Sequence, residues 1–332
     1  MAATFGYTVM AVDSPSEFIK LAELVDRSGF EHMWVADSSL HAHYVYSYLT
    51  LVATHTKRVK MGPNCTHPYT RHPAINMNAI ATIDEISGGR GIMNIAAGDR
   101  PVTEVGYQIA KPRVVRQMVE VCRKLLKEEK VDYVGDAWRL HQATLHYKSR
   151  SDIPIYITAS GPQMLQMAGE VADGILFMPG AYPESIKFAL SNIEIGARKA
   201  GRSLADIDLA WCGIGAIDKD KKKAIEASRF IAAWFPQMSP RYAEIAGLAP
   251  EIIQKIRAAY SGGHFHEARA AAAFVPDEII QRFAPTGSPE EVLEQIRTIL
   301  KLGVNHIEFF DISQDHLASA KLYADQVVAR LK

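Results

Sequence analysis

The sequence has few cysteines, no excess of charge of either sign and no long apolar run. Its three cysteines, Cys65, Cys122 and Cys212, are widely spaced and form no Cys-x-x-Cys pair, which argues against a disulfide framework or a zinc ribbon. Because 37 basic and 37 acidic residues cancel, no overall field favours nucleic acid or an anionic membrane surface. No segment supplies about 18 consecutive apolar residues, so no membrane span is expected.

The beginning of the chain and the cysteine content also bear on location. Residues 1–18, MAATFGYTVMAVDSPSEF, have no basic segment before the short apolar stretch, so they predict a first strand rather than a signal peptide. Few and unpaired cysteines are typical of a reducing compartment. We therefore expect a cytoplasmic protein.

What the sequence does have is a regular alternation of short apolar runs and amphipathic segments, which is typical of βα units. Eight strands are predicted, at residues 5–12, 33–36, 59–63, 91–96, 153–158, 174–178, 208–217 and 306–310. Eight is the number at which a parallel sheet closes into a barrel with a filled core. An open doubly wound sheet is the alternative, but no Gly-x-Gly-x-x-Gly follows the first strand. We predict one (β/α)8 TIM-barrel domain over residues 1–332.

Two helix starts and two insertions can also be predicted. Ser14 and Ser288 each precede a proline and are followed three residues later by a glutamate, which predicts a capping box at the start of two helices. Residues 131–147 contain two short extended runs that indicate an inserted hairpin. Residues 218–283 are too many for one crossover helix, so we predict a helical insertion after the seventh strand, over the mouth of the barrel.

Polar residues just beyond strand ends are the first candidates for chemistry, because ligands bind at the C-terminal ends of barrel strands. Asp37, Thr66, Asp99 and Ser160 occupy such positions. A carboxylate here can act in catalysis, but it can equally cap the turn that follows it. Position alone does not separate these two roles for Asp37.

Two loops carry further signals. Residues 158–164, TASGPQM, join a strand to a helix through small residues, and the free amides of a helix start can bind a phosphate without a basic side chain. The alternative is an ordinary turn. Residues 64–68, NCTHP, suggest an irregular strand end of the kind found at functional sites, or else a plain loop with a buried Cys65.

The histidines do not predict a metal site. His-x-His pairs occur at His41 and His43 and at His264 and His266. Neither pair has a third ligand at a useful spacing, and both fall in predicted loops or helices. We therefore predict no bound metal.

Several segments together resemble the luciferase-like oxidoreductases that use the deazaflavin coenzyme F420. They are residues 36–37 (AD), 62–73 (GPNCTHPYTRHP), 79–90 (AIATIDEISGGR), 94–99 (NIAAGD) and 153–174 (IPIYITASGPQMLQMAGEVADG). Within that family the methylenetetrahydromethanopterin reductases and the F420-dependent glucose-6-phosphate dehydrogenases are the most similar groups. The likeness covers nearly the whole chain.

The resemblance implies roles for individual residues. Asp37 would lie beside the deazaflavin ring, and the loop of Asn64, Cys65 and Thr66 would lie behind the ring with a cis peptide bond between Asn64 and Cys65. Ala97 and Gly98 would line the ring pocket. Backbone amides would hold the phosphate of F420 at Ser160, Gly161, Gln163 and Met164.

The chain also departs from the sugar-phosphate dehydrogenases of that family. Ser38 replaces the histidine that follows the aspartate in those enzymes, and Ala181 falls near the position of their phosphate-binding lysine. Asp99 matches their glutamate acid but is shorter. A phosphosugar substrate is therefore not expected.

The function we predict is hydride transfer between F420 and a small organic substrate, as in methylenetetrahydromethanopterin reduction. Asp37 would position the ring, and Asp99 would exchange a proton with the substrate. One alternative is an FMN-dependent luciferase-like monooxygenase, and another is a non-catalytic flavin-binding barrel. The resemblance further implies a homodimer or a larger homo-oligomer.

Overall fold

Ten strands are present in the computed structural model, which describes residues 3–38, 40–127, 130–262 and 265–332. They are β1 Thr4–Val9, β2 His32–Val35, β3 Lys60–Pro63, β4 Met93–Ile95, β5 Val131–Val134, β6 Arg139–Ala143, β7 Ile155–Ala159, β8 Gly174–Phe177, β9 Asp208–Gly215 and β10 His306–Asp311. Strands β5 and β6 pair antiparallel as the predicted hairpin. The other eight correspond to the eight strands predicted from the sequence.

These eight strands form one parallel sheet in the order β3-β2-β1-β10-β9-β8-β7-β4. Two isolated parallel bridges, Met61 to Gly91 and Thr66 to Ile95, join the two outer strands. The sheet therefore closes on itself, and the predicted (β/α)8 TIM barrel is confirmed.

Fifteen α-helices surround the sheet or cover its mouth within the described part of the chain. They are α1 Pro15–Arg27, α2 Val45–His55, α3 Pro73–Ser87, α4 Arg100–Thr103, α5 Pro112–Leu126, α6 Pro162–Val171, α7 Pro183–Lys199, α8 Lys221–Ser228, α9 Ile231–Met238, α10 Pro240–Ile245, α11 Pro250–Ala259, α12 Phe265–Ala271, α13 Asp277–Phe283, α14 Pro289–Leu300 and α15 His316–Leu322. Short 3-10 or π segments lie at Leu204–Asp206, Tyr323–Val327 and Val328–Arg330. None of these helices has the length and apolar character needed to cross a membrane.

Local sequence accounts for the helix starts. Ser14 caps α1 and Ser288 caps α14, each with the reciprocal glutamate contact of a capping box. The α1 stripe of Phe18, Leu21, Ala22 and Val25 is buried, because these positions recur on one face of a 3.6-residue helix. Both predicted capping boxes are confirmed.

Helices α8 to α13 form the insertion between β9 and α14. Its helices pack through aromatic side chains: the rings of Phe235 and Phe283 stack with centroids 4.9 Å apart. Tyr242 also contacts Phe235 edge-on. A helical insertion after the seventh barrel strand is therefore present, as predicted.

Some predicted strand ends were wrong. The first strand ends at Val9 rather than residue 12, and β4 covers only Met93–Ile95 instead of residues 91–96. Strand β7 starts at Ile155, because Pro154 has no amide hydrogen for the ladder. Strand β9 ends at Gly215, and Ile217 makes only an isolated bridge to Gly287.

Candidate active site

A cavity of about 390 Å³ opens at the C-terminal ends of the barrel strands. Its volume lies within the range of ligand pockets. Its walls come from loops that follow β2, β3, β4, β7 and β8, and from the insertion, which contributes Phe230, Trp234, Met238 and Tyr260. The cavity is thus placed where a TIM barrel positions its chemistry.

Most of the predicted site residues meet around this cavity. Those that line it are Asp37, Asn64, Cys65, Ala97, Gly98, Asp99, Ser160, Gly161 and Met164. Two predicted residues do not line it: Thr66 is buried behind the wall, and Gln163 is exposed on the first turn of α6.

The loop after β3 is held from the barrel interior. The Asn64–Cys65 peptide bond is cis, as the resemblance implied. The Asn64 amide donates to Thr8 Oγ1 at 3.2 Å, and its oxygen accepts from the Asn94 amide at 3.3 Å. Burial raises the pKa of the Cys65 thiol to about 12. Cys65 is therefore a neutral thiol at physiological pH and not an activated nucleophile.

Asp37 is an ion-pair partner rather than a free carboxylate. Arg71, from the loop after β3, donates to the Asp37 carboxylate from Nη2, and the two side chains are only 12% and 4% exposed. Nε of Arg71 donates to Asn76 at 3.0 Å. Burial lowers the pKa of Arg71 to about 10, so the guanidinium stays charged at neutral pH. Asp37 is consequently fixed in position at the cavity wall.

A second cleft, of about 490 Å³, adjoins the cavity and shares Asp37 with it. It lies between the loops after β2, β3 and β4. Arg71 lines it and lies 5.4 Å from the ring centre of Tyr44, a cation–π distance. Tyr107, on another wall, stacks on Tyr69.

Asp99 precedes α4 but does not cap that helix with its side chain. Its carboxyl group lines the cavity. Burial raises its pKa, although the charges of Arg100 and His41 oppose the shift. A carboxyl group that holds its proton more strongly than usual is suited to acid–base work.

His67 is another titratable residue that lines the cavity. Burial lowers its pKa to about 4, so the imidazole is neutral at physiological pH. Its Nδ1 lies 2.7 Å from Thr70 Oγ1, whereas Nε2 has no hydrogen-bond partner among the described residues. His67 can thus accept or donate a hydrogen bond, but it is a weaker candidate than Asp99 for proton delivery.

The Ser160–Gly161 turn precedes α6 and exposes the start of that helix. A Cβ added to Gly161 would meet no other atom within 4 Å, so the turn faces open space. Tyr242 of α10 donates its hydroxyl to the Ser160 carbonyl at 2.8 Å. The insertion therefore holds the turn in place.

The family assignment follows from comparison of the whole chain with known proteins. The profile of the luciferase-like monooxygenase family matches residues 2–306. The chain belongs to this family.

Similar proteins within the family include reductases and dehydrogenases, some of which are named as F420-dependent. The 5,10-methylenetetrahydromethanopterin reductase of Archaeoglobus fulgidus is 36% identical over 95% of both chains. The F420-dependent glucose-6-phosphate dehydrogenase of Nakamurella multipartita is 27% identical over 99% of this chain and 96% of that protein. The structure of the coenzyme F420-dependent tetrahydromethanopterin reductase of Methanopyrus kandleri superposes with a TM-score of 0.88, at 32% identity, over 100% of both chains.

The sequence analysis did not predict the roles of two residues in this luciferase-like site. Arg71 forms an ion pair with Asp37, and the Tyr242 hydroxyl donates to the Ser160 carbonyl in the turn predicted to bind the phosphate. Arg71 is a basic residue in an otherwise uncharged loop, and this could have indicated that it has an acidic partner. Nothing in the sequence around Tyr242 indicates its contact with Ser160. In the first His-x-His pair, His41 lies 2.5 Å from Glu104, and His43 stacks on Tyr48. His264, of the second pair, lies outside the described residues.

Proposed function

We propose that this protein is an F420-dependent oxidoreductase that exchanges a hydride with a one-carbon group on a tetrahydropterin-type carrier. The observation that carries the proposal is the match over the whole length of both chains to the Methanopyrus kandleri reductase. The 36% identity to the Archaeoglobus fulgidus reductase supports it. Ser38 and Ala181, where the sugar-phosphate dehydrogenases have a histidine and a lysine, argue against a phosphosugar.

The cavity fits a deazaflavin cofactor. Small residues, Ala97 and Gly98, line one wall, and the Asn64–Cys65 segment forms another. Gly98 has φ +85°, and a Cβ there would lie 2.2 Å from Val102, so this close packing favours glycine. The open turn at Gly161 offers room for a phosphate at the start of α6.

When F420 is bound, its ring supplies the carbon that gives or accepts the hydride. The chain's own residues would orient the reactants and handle the proton. Asp37, fixed by Arg71, would position the ring, and Asp99 would hold or deliver a proton at its carboxyl oxygen. Phe230 and Trp234 of the insertion would help to exclude water from the cavity.

Binding and turnover can be measured separately. Purified protein is titrated with F420 and, in parallel, with FMN, and binding is followed by absorbance and fluorescence. Oxidation of reduced F420 is then assayed with methylenetetrahydromethanopterin, and reduction of oxidised F420 is assayed with glucose 6-phosphate. We expect the protein to bind F420 and to be active with the pterin substrate but not with glucose 6-phosphate. Binding of FMN without F420 would favour the monooxygenase alternative, and binding without turnover of any substrate would favour a carrier role.

We further propose that the protein is a cytoplasmic homodimer. Its three described cysteines are free thiols, which fits a reducing compartment. Exposed apolar side chains gather around the second cleft, at Leu40, Tyr44, Val105 and Tyr107, and such patches are typical of interaction surfaces. Light scattering of the purified protein measures the mass, and a monomer at micromolar concentration would contradict the dimer.

A further inference from the structure

A buried polar cluster lies at the end of the barrel opposite the candidate active site. His32 begins β2, Asp208 begins β9 and His306 begins β10. Parallel strands start at one end of a barrel and finish at the other, so these residues lie far from the strand ends that line the cavity. One potential ligand atom from each of the three lies within 4.8 Å of the other two.

His306 is the centre of the cluster. Its Nδ1 lies 2.9 Å from the Asp208 carboxylate, and its Nε2 lies 2.6 Å from Glu308 Oε1. Metal-binding histidines very often have this arrangement, in which one ring nitrogen faces the ligand position and the other bonds a carboxylate. Trp34 donates to the same Glu308 oxygen at 2.9 Å, so Glu308 is oriented as an outer support.

Two groups in the cluster lack hydrogen-bond partners, although His32 Nδ1 lies 3.7 Å from Glu308 Oε1. His32 is 3% exposed, and neither of its ring nitrogens makes a hydrogen bond with any described residue. Glu308 is fully buried, and its Oε2 has no hydrogen-bond partner there either. Buried polar groups without partners are costly and rare in native proteins, and an ion is one of the few things that explains them.

Charge and access agree with a cation. Asp208 and Glu308 place two carboxylates around His306. A divalent cation that replaces the proton between His306 Nδ1 and Asp208 would balance both carboxylates in a region where isolated charge is costly. Both Asp208 oxygens lie 2.9 Å from His306 Nδ1, and Oδ2 also accepts from the Tyr156 hydroxyl at 2.5 Å. The Asp208 side chain is 35% exposed, so an ion can reach the cluster from solvent.

We propose that His32, Asp208 and His306 form a binding site for a divalent transition metal of the Zn²⁺ class. Two imidazoles and one carboxylate are a donor set that Zn²⁺ accepts in tetrahedral geometry, with water as the fourth ligand. The rings of His32 and His306 are stacked, 4.6 Å apart and 23° from parallel. Binding therefore requires the His32 ring to rotate until one nitrogen points towards Asp208.

The test uses Co²⁺ as a visible substitute for Zn²⁺. Full-length protein is freed of metal with a chelator and titrated with Co²⁺ while the absorption spectrum is recorded. We expect saturation at one Co²⁺ per chain, with the ligand-field bands of tetrahedral cobalt, and displacement of the cobalt by Zn²⁺. His32→Phe keeps a stacked ring but removes the ligand, and it should lose this saturable binding. His141→Phe, on the exposed hairpin, is the matched control and should bind as the wild type does.

Further variants keep the result interpretable. Circular dichroism checks that His32→Phe is folded, and Asp208→Asn provides a second ligand deletion if it is not. Glu308→Gln should weaken binding about ten-fold, because it alters only the support of His306. The proposal is overturned if the wild type shows no tetrahedral cobalt spectrum, or if both ligand deletions bind cobalt as the wild type does. F420 affinity should not change in His32→Phe, since the cluster lies at the other end of the barrel.

Discussion

The role of Asp99 can be decided by replacing it with asparagine. Asp99→Asn keeps the size of the side chain and removes the group that titrates. Because the Asp99 side chain makes no capping bond to α4, the substitution should leave that helix intact. A positioned acid or base contributes about 10²- to 10⁴-fold to a rate, which corresponds to about 3–5 kcal/mol of transition-state free energy. We expect kcat/KM to fall by this factor, with F420 affinity nearly unchanged.

Stability should change in the opposite direction from activity. Burial raises the pKa of Asp99, so the folded state holds this proton more strongly than the unfolded state does. The wild type therefore loses stability as pH rises from the unfolded carboxyl pKa through the raised folded value. The asparagine variant has no such loss, so its Tm at neutral pH should equal or exceed that of the wild type. A structural role for Asp99 would instead lower the Tm.

The assay follows oxidation of reduced F420 across a range of pH, together with thermal denaturation and an F420 titration. The pH profile of kcat/KM should lose the limb that reports Asp99. If the variant folds, binds F420 and reacts near the wild-type rate, then Asp99 does not handle the proton. His67, which lines the same cavity, becomes the candidate in that case.

Three other substitutions test the remaining parts of the structure. Gly161→Asp should weaken F420 binding at least about ten-fold by placing a carboxylate at the proposed phosphate position. The control variant Gly161→Ala should bind F420 normally, because its Cβ meets no atom within 4 Å. Equal F420 titration curves for the two variants would contradict the phosphate assignment. Arg71→Leu leaves Asp37 buried without its partner and should lower the free energy of unfolding by about 3–5 kcal/mol. Arg113→Leu, from the exposed pair with Asp136, should cost less than about 1 kcal/mol in the same denaturant experiment, and similar losses for the two variants would refute the buried-pair argument. Gly6→Ala would put a Cβ 1.9 Å from Glu308 Oε2 and should destabilise the barrel by roughly 1–3 kcal/mol; an unchanged Tm would show that Glu308 moves away freely.

Much of the fold could be predicted from the sequence, because the features that specify its helices and strands are local. The capping residues Ser14 and Ser288 lie beside the backbone groups that they satisfy. The apolar stripe of α1 repeats at helical spacing within a few residues. The strands can be located approximately in the same way, although several of their ends cannot, and a closed parallel barrel brings all C-terminal ends to one side. For this reason Asp37, Asp99 and Ser160 could be placed at one cavity from their positions alone.

Side-chain direction was less predictable. Cys65 and Thr66 are adjacent, yet Cys65 lines the cavity, whereas the Thr66 hydroxyl accepts from Arg71 at 3.3 Å behind it. Successive side chains of an extended segment point to opposite faces, and the exact end of the regular strand decides which one faces the cavity. Thr66 itself forms an isolated bridge with Ile95 of β4, a contact that the local sequence does not indicate.

Only the tertiary structure decided the contacts between residues that are distant in sequence. Arg71 meets Asp37 and His32 meets His306 only when the strands assemble into the sheet, and Tyr242 reaches Ser160 only when the insertion packs over the barrel. No local pattern in the sequence predicts the partner of any of these residues. The sequence by itself determined the barrel and the side on which its candidate active site lies, because periodicity and capping are local. Tertiary packing determined which charges are paired and which buried nitrogens lack a hydrogen-bond partner. Burial and electrostatic pairing depend on distances that exist only in the folded chain.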